Sequence, residues 1–410
     1  MNKPFLPALN TANFQNNESS KDLISKITYF FTIIFIFLVP WGDGLWDGTP
    51  RIAATISFGL SALLFLTRGT QRNYTIAHLF IILYFTWQLI SIIWSPDQEY
   101  GIQVATTAIQ LLLLVFLITL VINTKEKILL AYQVYVLGNI IGSFIIIYNY
   151  LNGIMSLYYG RYGIVNIETD TLSIILALAI PMSAYLATKS HNKLIKTINL
   201  LAIPLVFYAI FLTGTRTGSI VGVLGIFYWI FTYRKSSIII KTFISLVMVG
   251  SIIAIFTFAP KASIDRVFSA SQSINAGTLN GRTIIWRNSL EHWKKAPMIG
   301  TGLGGLGYAL SKEHVNYRSA HNSYVHILAV NGLVGLLFYL LIIGALFYFI
   351  TLTPFEEKIF LVTLLLCLLL SQVTTHTQTE KYLWILFSLI IIHTKKFTNE
   401  KTRLRNAIPT

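Results

Sequence analysis

The stretch LLAIPLVFYAIFLTGTRTGSIVGVLGIFYWIF, residues 200–231, contains a single charged side chain, Arg216. A hydrocarbon layer of about 30 Å is crossed by roughly 20 apolar residues in helical conformation. The apolar runs on either side of Thr213-Gly214-Thr215-Arg216 are continuous, not alternating, so they predict two membrane helices and exclude a β-barrel. Gly214 and Gly218 permit a tight turn between them. An arginine at the centre of a bilayer costs roughly 2.5–3.5 kcal/mol on insertion scales, which places Arg216 at a membrane boundary. There it either snorkels to the interface or serves as a fixed cation, with Thr213, Thr215, Thr217 and Ser219 adding polar atoms around it.

The rest of the chain repeats the first half of that pattern. Of 410 residues, 54% are hydrophobic and only 11% charged, against about a quarter charged in a soluble domain; mean hydropathy is +0.65. A disordered chain and an ordinary soluble enzyme are excluded. The sequence predicts an all-α integral membrane protein with about 12 transmembrane helices, at 27–40, 52–66, 76–94, 102–122, 128–150, 171–187, 197–213, 217–232, 238–258, 323–350, 355–371 and 381–394. The net charge of +15 would suggest nucleic acid in a soluble protein, but here it reflects basic cytoplasmic loops, so no nucleic-acid partner is expected. Lys125, Lys127, Lys189, Lys193, Lys196, Arg234 and Lys235 fall on one side, whereas Asp43, Asp97, Glu99, Glu168 and Asp170 dominate the short loops of the other. That asymmetry puts both termini in the cytoplasm. The divisions are a tail at 1–26, helices one to nine over 27–258, a long outer loop at 259–322, helices ten to twelve over 323–394 and a second tail at 395–410. The polar first 26 residues, with no small-residue cleavage site after the first apolar run, point to a retained tail and not a signal peptide. Cys367 is the sole cysteine, which rules out an intramolecular disulfide.

Loops as long as 259–322 are functional or disordered, and Ile284, Ile285, Trp286, Trp293 and a glycine cluster argue against disorder here. Helical spacing over 280–297 puts Arg282, Trp286, Ser289 and Trp293 on one side and Arg287, Glu291, Lys294 and Lys295 largely elsewhere. A helix lying on the membrane accounts for the tryptophans and lysines. It leaves Arg282 on the tryptophan face unexplained unless it reaches a partner or an anion. Gly302, Gly304 and Gly307 spell G-x-G-x-x-G, but a helix and Pro297 precede them instead of a strand, so a close-packed turn is expected and not a nucleotide site. Before the tenth helix stand Arg318, His321 and Asn322, where Asn322 or Ser323 would cap it. Helices eight and ten both begin at the outer face, so their positive dipole ends meet there with Arg216 and Arg282 and favour a phosphate group. A histidine with an ordinary pKa near 6.5 takes a proton from a hydroxyl. No metal-ligand spacing occurs in the outer segments, so no metal and no cofactor are expected.

These motifs resemble the O-antigen ligase and polymerase superfamily of bacterial envelope enzymes. The resemblance rests on Thr215-Arg216, Gly281-Arg282 with Trp293, Pro297-Met298-Ile299-Gly300-Thr301-Gly302-Leu303-Gly304, and His321-Asn322-Ser323-Tyr324 followed by Asn331-Gly332 and Gly335, with Trp94-Ser95-Pro96-Asp97 upstream. It implies a GT-C-type glycosyltransferase with one long periplasmic loop, in the bacterial inner membrane. The implied donor is a glycan on undecaprenyl pyrophosphate, and the implied acceptor is a sugar hydroxyl of lipid A–core, joined with inversion. By motif, Arg216 and Arg282 hold the pyrophosphate and His321 activates the acceptor, with Arg318, Arg287 and Asn322 as secondary contacts. An O-antigen ligase fits the compact length and the lack of an added C-terminal domain. The competing readings are a polymerase of the same superfamily, a protein O-oligosaccharyltransferase and a lipid-linked glycan transporter.

Overall fold

The computed structural model describes residues 11–45, 74–158, 160–234, 238–268, 282–311 and 319–406, with positions 52, 55, 56 and 59. The predicted helix 52–66 therefore lies outside the described residues apart from those positions, as do Gly281 and Arg318. Among the described residues every regular element is helical. In chain order they are α1 (Thr11–Leu38), α2 (Ile76–Ile90), α3 (Gln98–Val121), α4 (Lys125–Leu151), α5 (Thr169–Lys189), α6 (Lys193–Leu212), α7 (Arg216–Thr232), α8 (Ile238–Phe258), α9 (Lys261–Phe268), α10 (Arg282–Lys295), α11 (Gly305–Ser311), α12 (Ser323–Thr351), α13 (Phe355–Ser371) and α14 (Lys381–Asn406).

Among the described residues, six spans are long and apolar enough to cross a membrane: 76–94, α3, α4, α5, α6 and α12; Leu23–Leu38 and α7 are shorter apolar helices. α1 and α14 run beyond the expected 27–40 and 381–394. Hydropathy marks where a helix meets lipid, but propagation continues at one hydrogen bond per added residue, and neither 11–26 nor 395–406 contains Gly or Pro to stop it. Side-chain caps set several starts: Asp97 accepts from the Tyr100 amide at 3.0 Å, and Asn192 from the Leu194 amide at 2.8 Å.

α5 is the central helix, with most of its length buried against α4, α6, α7 and α13. α7 approaches α5 closely because Gly218 faces Ser173, where a β-carbon would overlap the serine side chain. The segment expected as one long loop contains α9, α10 and α11. α10 rests on α12 and α11 through buried Ile285 and Ser289, so its apolar side is covered by protein.

The glycine cluster is a backbone latch. The Thr301 and Gly302 amides donate to the Ala329 and Val330 carbonyls at 2.9 Å each, and the Leu333 amide donates to the Pro297 carbonyl at 2.9 Å. α12 breaks to receive it at Gly332 (φ 67°, ψ −168°), where a β-carbon would strike the Met298 carbonyl. Trp87 Nε1 donates to the carbonyl oxygen of Asn331 at 2.8 Å, and the Leu303 amide donates to Ser91 Oγ at 3.0 Å, tying the latch to the end of α2. Gly302 and Gly304 form the close-packed turn expected of them, with a β-carbon at either meeting backbone, while Gly307 lies in α11.

Candidate functional site

The site grows from the α6–α7 turn. Gly214 (φ 61°) reverses the chain between Thr213 and Thr215, and one buried guanidinium fastens both threonines. Arg161 is 3% exposed. Its Nε donates to the Thr213 carbonyl at 2.8 Å, and one terminal nitrogen donates to Thr215 Oγ1 at 2.6 Å and to Asp170 Oδ1 at 2.5 Å. A charge this deep needs a counter-ion, and Asp170, in the first turn of α5, supplies it where the helix dipole also favours an anion.

The second oxygen of Asp170 accepts from Arg282, the first residue of α10, at 3.2 Å. One carboxylate thus joins Arg161 and Arg282, residues 121 positions apart in the chain, and Asp170 is the partner that Arg282 on the tryptophan face required. Arg216, the first residue of α7, donates from Nε to the Arg266 carbonyl in α9 at 2.8 Å. Arg161, Arg216 and Arg282 all repel Arg266, while Asp170 attracts it. Glu168 is near enough to be attracted by Arg161 and Arg282. Arg161, Arg216, Arg266 and Arg282 thus share this patch with Asp170 and Glu168.

His321 stands just before α12 with left-handed backbone (φ 48°). Trp286 Nε1 donates to the Ala320 carbonyl at 2.9 Å, so α10 grips the residue before it. Asn322 caps α12, accepting from the Val325 amide at 3.0 Å. Partial burial, then the Arg282 charge, push the His321 imidazole below its ordinary 6.5, and Asp170 opposes them. At neutral pH the ring is therefore an acceptor of protons. Ser323 Oγ donates to the Thr375 carbonyl at 2.9 Å, and Gln378 Nε2 donates to the Ser323 carbonyl at 2.7 Å. Thr217 shares a 2.5 Å hydrogen bond with Thr374. The α13–α14 turn thereby brings the starts of α7 and α12 together, with their positive dipole ends beside the arginines.

Of the residues expected from sequence, Arg216, Arg282 and His321 converge on this patch. Arg287 is exposed on α10 away from the buried Ile285 and Ser289, and Asn322 serves as the helix cap. Sequence reasoning missed Arg161, Asp170 and Arg266. The available signal was weak: an arginine and an aspartate in one short, otherwise nearly uncharged outer loop. Among the described residues no group of three or more His, Cys, Asp or Glu is placed to hold a metal ion. Guanidiniums gathered beside a neutral imidazole can bind a phosphate-bearing ligand and take up one proton.

Residues 201–340 match the family model described as O-antigen ligase, a span that contains Arg216, Arg266, Arg282 and His321. A Haemophilus influenzae protein described as "Uncharacterized protein" is 31% identical over 163 residues, which cover 34% of this chain and 40% of that relative. The chain thus spans less than half the length of that relative. The similarity to the O-antigen ligase family thus covers about a third of the chain, the part that carries three of the patch arginines and the histidine.

Proposed function

We propose that the chain is an O-antigen ligase: a glycosyltransferase of the inner membrane that moves a glycan from undecaprenyl pyrophosphate to a sugar hydroxyl of lipid A–core. The observation that carries this reading is the pairing of Arg282, beside Arg216, with a histidine that burial and Arg282 keep neutral. Guanidinium forks bind phosphate oxygens bidentately and stay charged at all working pH values. His321 accepts the proton of the acceptor hydroxyl as its oxygen attacks the anomeric carbon. The bond from that carbon to the pyrophosphate oxygen breaks, and the electron pair leaves with the pyrophosphate. The arginines neutralise the charge that develops there. Attack opposite the leaving group inverts the anomeric centre.

Arginine neutralisation makes a divalent ion unnecessary, so EDTA is expected to leave transfer intact. The charge asymmetry of the short loops supports a periplasmic position for the patch, where both lipids are available. The same site would serve a polymerase if the acceptor were a second carrier-linked glycan. Purified protein in detergent with EDTA, undecaprenyl-pyrophosphate glycan and lipid A–core tests the reading. Glycan appearing on the core establishes the ligase. Chains lengthening on the carrier instead establish the polymerase, and neither product from a folded sample overturns both.

A further inference from the structure

Behind His321 lies a cavity of about 280 Å³ that the proposed chemistry does not use. Its wall is formed by α2, α3, the glycine latch, α12 and the α13–α14 turn, through Gln88, Tyr100, Asn331, His326, His376 and Gln378 among others. None of its lining residues is Asp, Glu, Lys or Arg. His376 is held to about 4 by burial and by His321, so it too is uncharged at neutral pH. Three polar atoms on this wall have no hydrogen-bond partner: Asn331 Nδ2, Gln378 Oε1 and His326 Nδ1. Asn331 is 1% exposed and Gln378 4%. The Gln378 side chain is held by Nε2 donating to the Ser323 carbonyl, and the Asn331 backbone is fixed by Trp87, which donates to its carbonyl. The His326 and His376 rings lie against each other, centroids 3.9 Å apart and planes tilted by 39°.

Buried amides left unpaired forfeit the hydration they had in water, so this wall is shaped for a ligand that pairs with them. An amide donor, an amide acceptor and an imidazole complement hydroxyl groups, which both give and accept. Phe85 and Tyr100 add aromatic surface to the same wall. A phosphate would find no cation, and an acyl chain would leave the amides unpaired. At about 30 Å³ per water, the volume corresponds to roughly nine waters, on the order of one six-membered sugar ring with its substituents.

We infer that this cavity is a subsite for one uncharged sugar residue, held by Asn331, Gln378 and His326 beside the base His321. The inference deepens the glycosyltransferase reading and rests on it for the source of the sugar, which is either the first residue of the carrier-linked glycan or the acceptor residue of lipid A–core.

Two variants test it in the full-length protein in lipid nanodiscs. Gln378→Met removes the acceptor oxygen, and Ala108→Leu fills the cavity from α3 without touching the α13–α14 turn. Affinity is measured for undecaprenyl pyrophosphate without glycan, for undecaprenyl-pyrophosphate glycan and for lipid A–core. The expected result is tenfold or greater weakening of one glycan-bearing ligand, with the glycan-free carrier bound as in the wild type. Loss on the glycan donor assigns the cavity to the donor sugar, and loss on lipid A–core assigns it to the acceptor. Saturation-transfer NMR with methyl glycosides gives a readout independent of either lipid: signal in the wild type, lost in Ala108→Leu. If that glycoside signal is seen while the wild type binds neither glycan lipid, the subsite stands and the proposed function fails. Wild-type affinity of both folded variants for both glycan lipids, with no variant-sensitive glycoside signal, overturns the inference.

Discussion

Two charged clusters sit at opposite ends of α5, and they are built differently. Asp170 occupies its first turn and Lys189 its last, separated by about 30 Å at 1.5 Å per residue. At the Lys189 end, Glu357 is 3% exposed and its charge is fully answered. Lys189 Nζ lies 2.7 Å from one oxygen, while Tyr185 Oη donates to the other at 2.5 Å and His393 Nε2 lies 3.0 Å from it. One anion meets one cation, an imidazole and a phenol. At the Asp170 end, Arg161, Arg216, Arg266 and Arg282 meet Asp170 and Glu168. The first cluster closes a structure; the second gathers guanidiniums from four elements, where the proposed function puts the pyrophosphate. Exposure grades the arginines accordingly, since the side chain of Arg161 is 4% exposed and that of Arg282 24%. The buried one fixes the turn, and the more open one is the one proposed to meet the pyrophosphate.

Substitutions of the reacting groups widen that contrast most. Arg216→Ala, Arg282→Ala and His321→Ala are each expected to lower transfer per folded molecule by about 10²–10⁴-fold, with insertion and thermal midpoint near wild type. Lysine at 216 or 282 restores part of the rate, because the charge returns without the fork. His321→Ala lowers turnover more than donor affinity. At the other end, Lys189→Met lowers the midpoint and leaves the rate per folded molecule unchanged. A rate loss at Lys189 matching that at Arg282 would break the comparison.

Next in size are effects on stability. Asp170→Asn strands Arg161 in the protein, and breaking a buried pair this way costs about 3–5 kcal/mol. Glu357→Gln is milder, about 1–3 kcal/mol, because Lys189 still has Glu356 at 3.3 Å. Denaturant titration of both variants in the same detergent reads the difference. Equal losses would mean that the surplus arginines repel one another less than the structure implies.

The pH profile is a smaller effect. A lowered His321 pKa means that the neutral base persists into more acidic solution. The acid limb of the rate is therefore expected below pH 6.5, and transfer falls only as pH drops through that lowered value. An acid limb at or above 6.5 would show that Asp170 outweighs burial and Arg282.

The helices were legible because membrane burial writes itself into composition. Eleven of the twelve predicted apolar runs coincide with described helices, and Arg216, Arg282 and His321 stood out as polar interruptions of apolar or amphipathic patterns. Arg161 and Asp170 did not. Each looked like an ordinary loop charge, and only the fold shows that a short loop folds back under the α6–α7 turn to bury Arg161 against the start of α5, where Asp170 stands half-buried. The extra helix in α1 was hidden for the opposite reason: polar residues without Gly or Pro are compatible with either a helix or a tail. The cavity behind His321 was equally illegible, since its polar atoms come from α12 and the α13–α14 turn, 47 residues apart from Asn331 to Gln378.

The smallest expected effect marks the edge of the patch. Arg287 is five residues beyond Arg282 on the same helix, and it turns outward while Ile285 and Ser289 turn in. At 100° per residue it stands well away from Arg282's side of α10, too far round to share an anion held beside Asp170. An exposed charge at this distance acts through screened solvent, so Arg287→Ala is expected to change transfer by less than about twofold, with even that difference fading at high salt. Initial rates at two ionic strengths check this. A tenfold, salt-sensitive loss specific to phosphate-bearing lipid A–core would extend the positive surface outward along α10. The acceptor would then be recognised by a face of the helix that the donor never reaches.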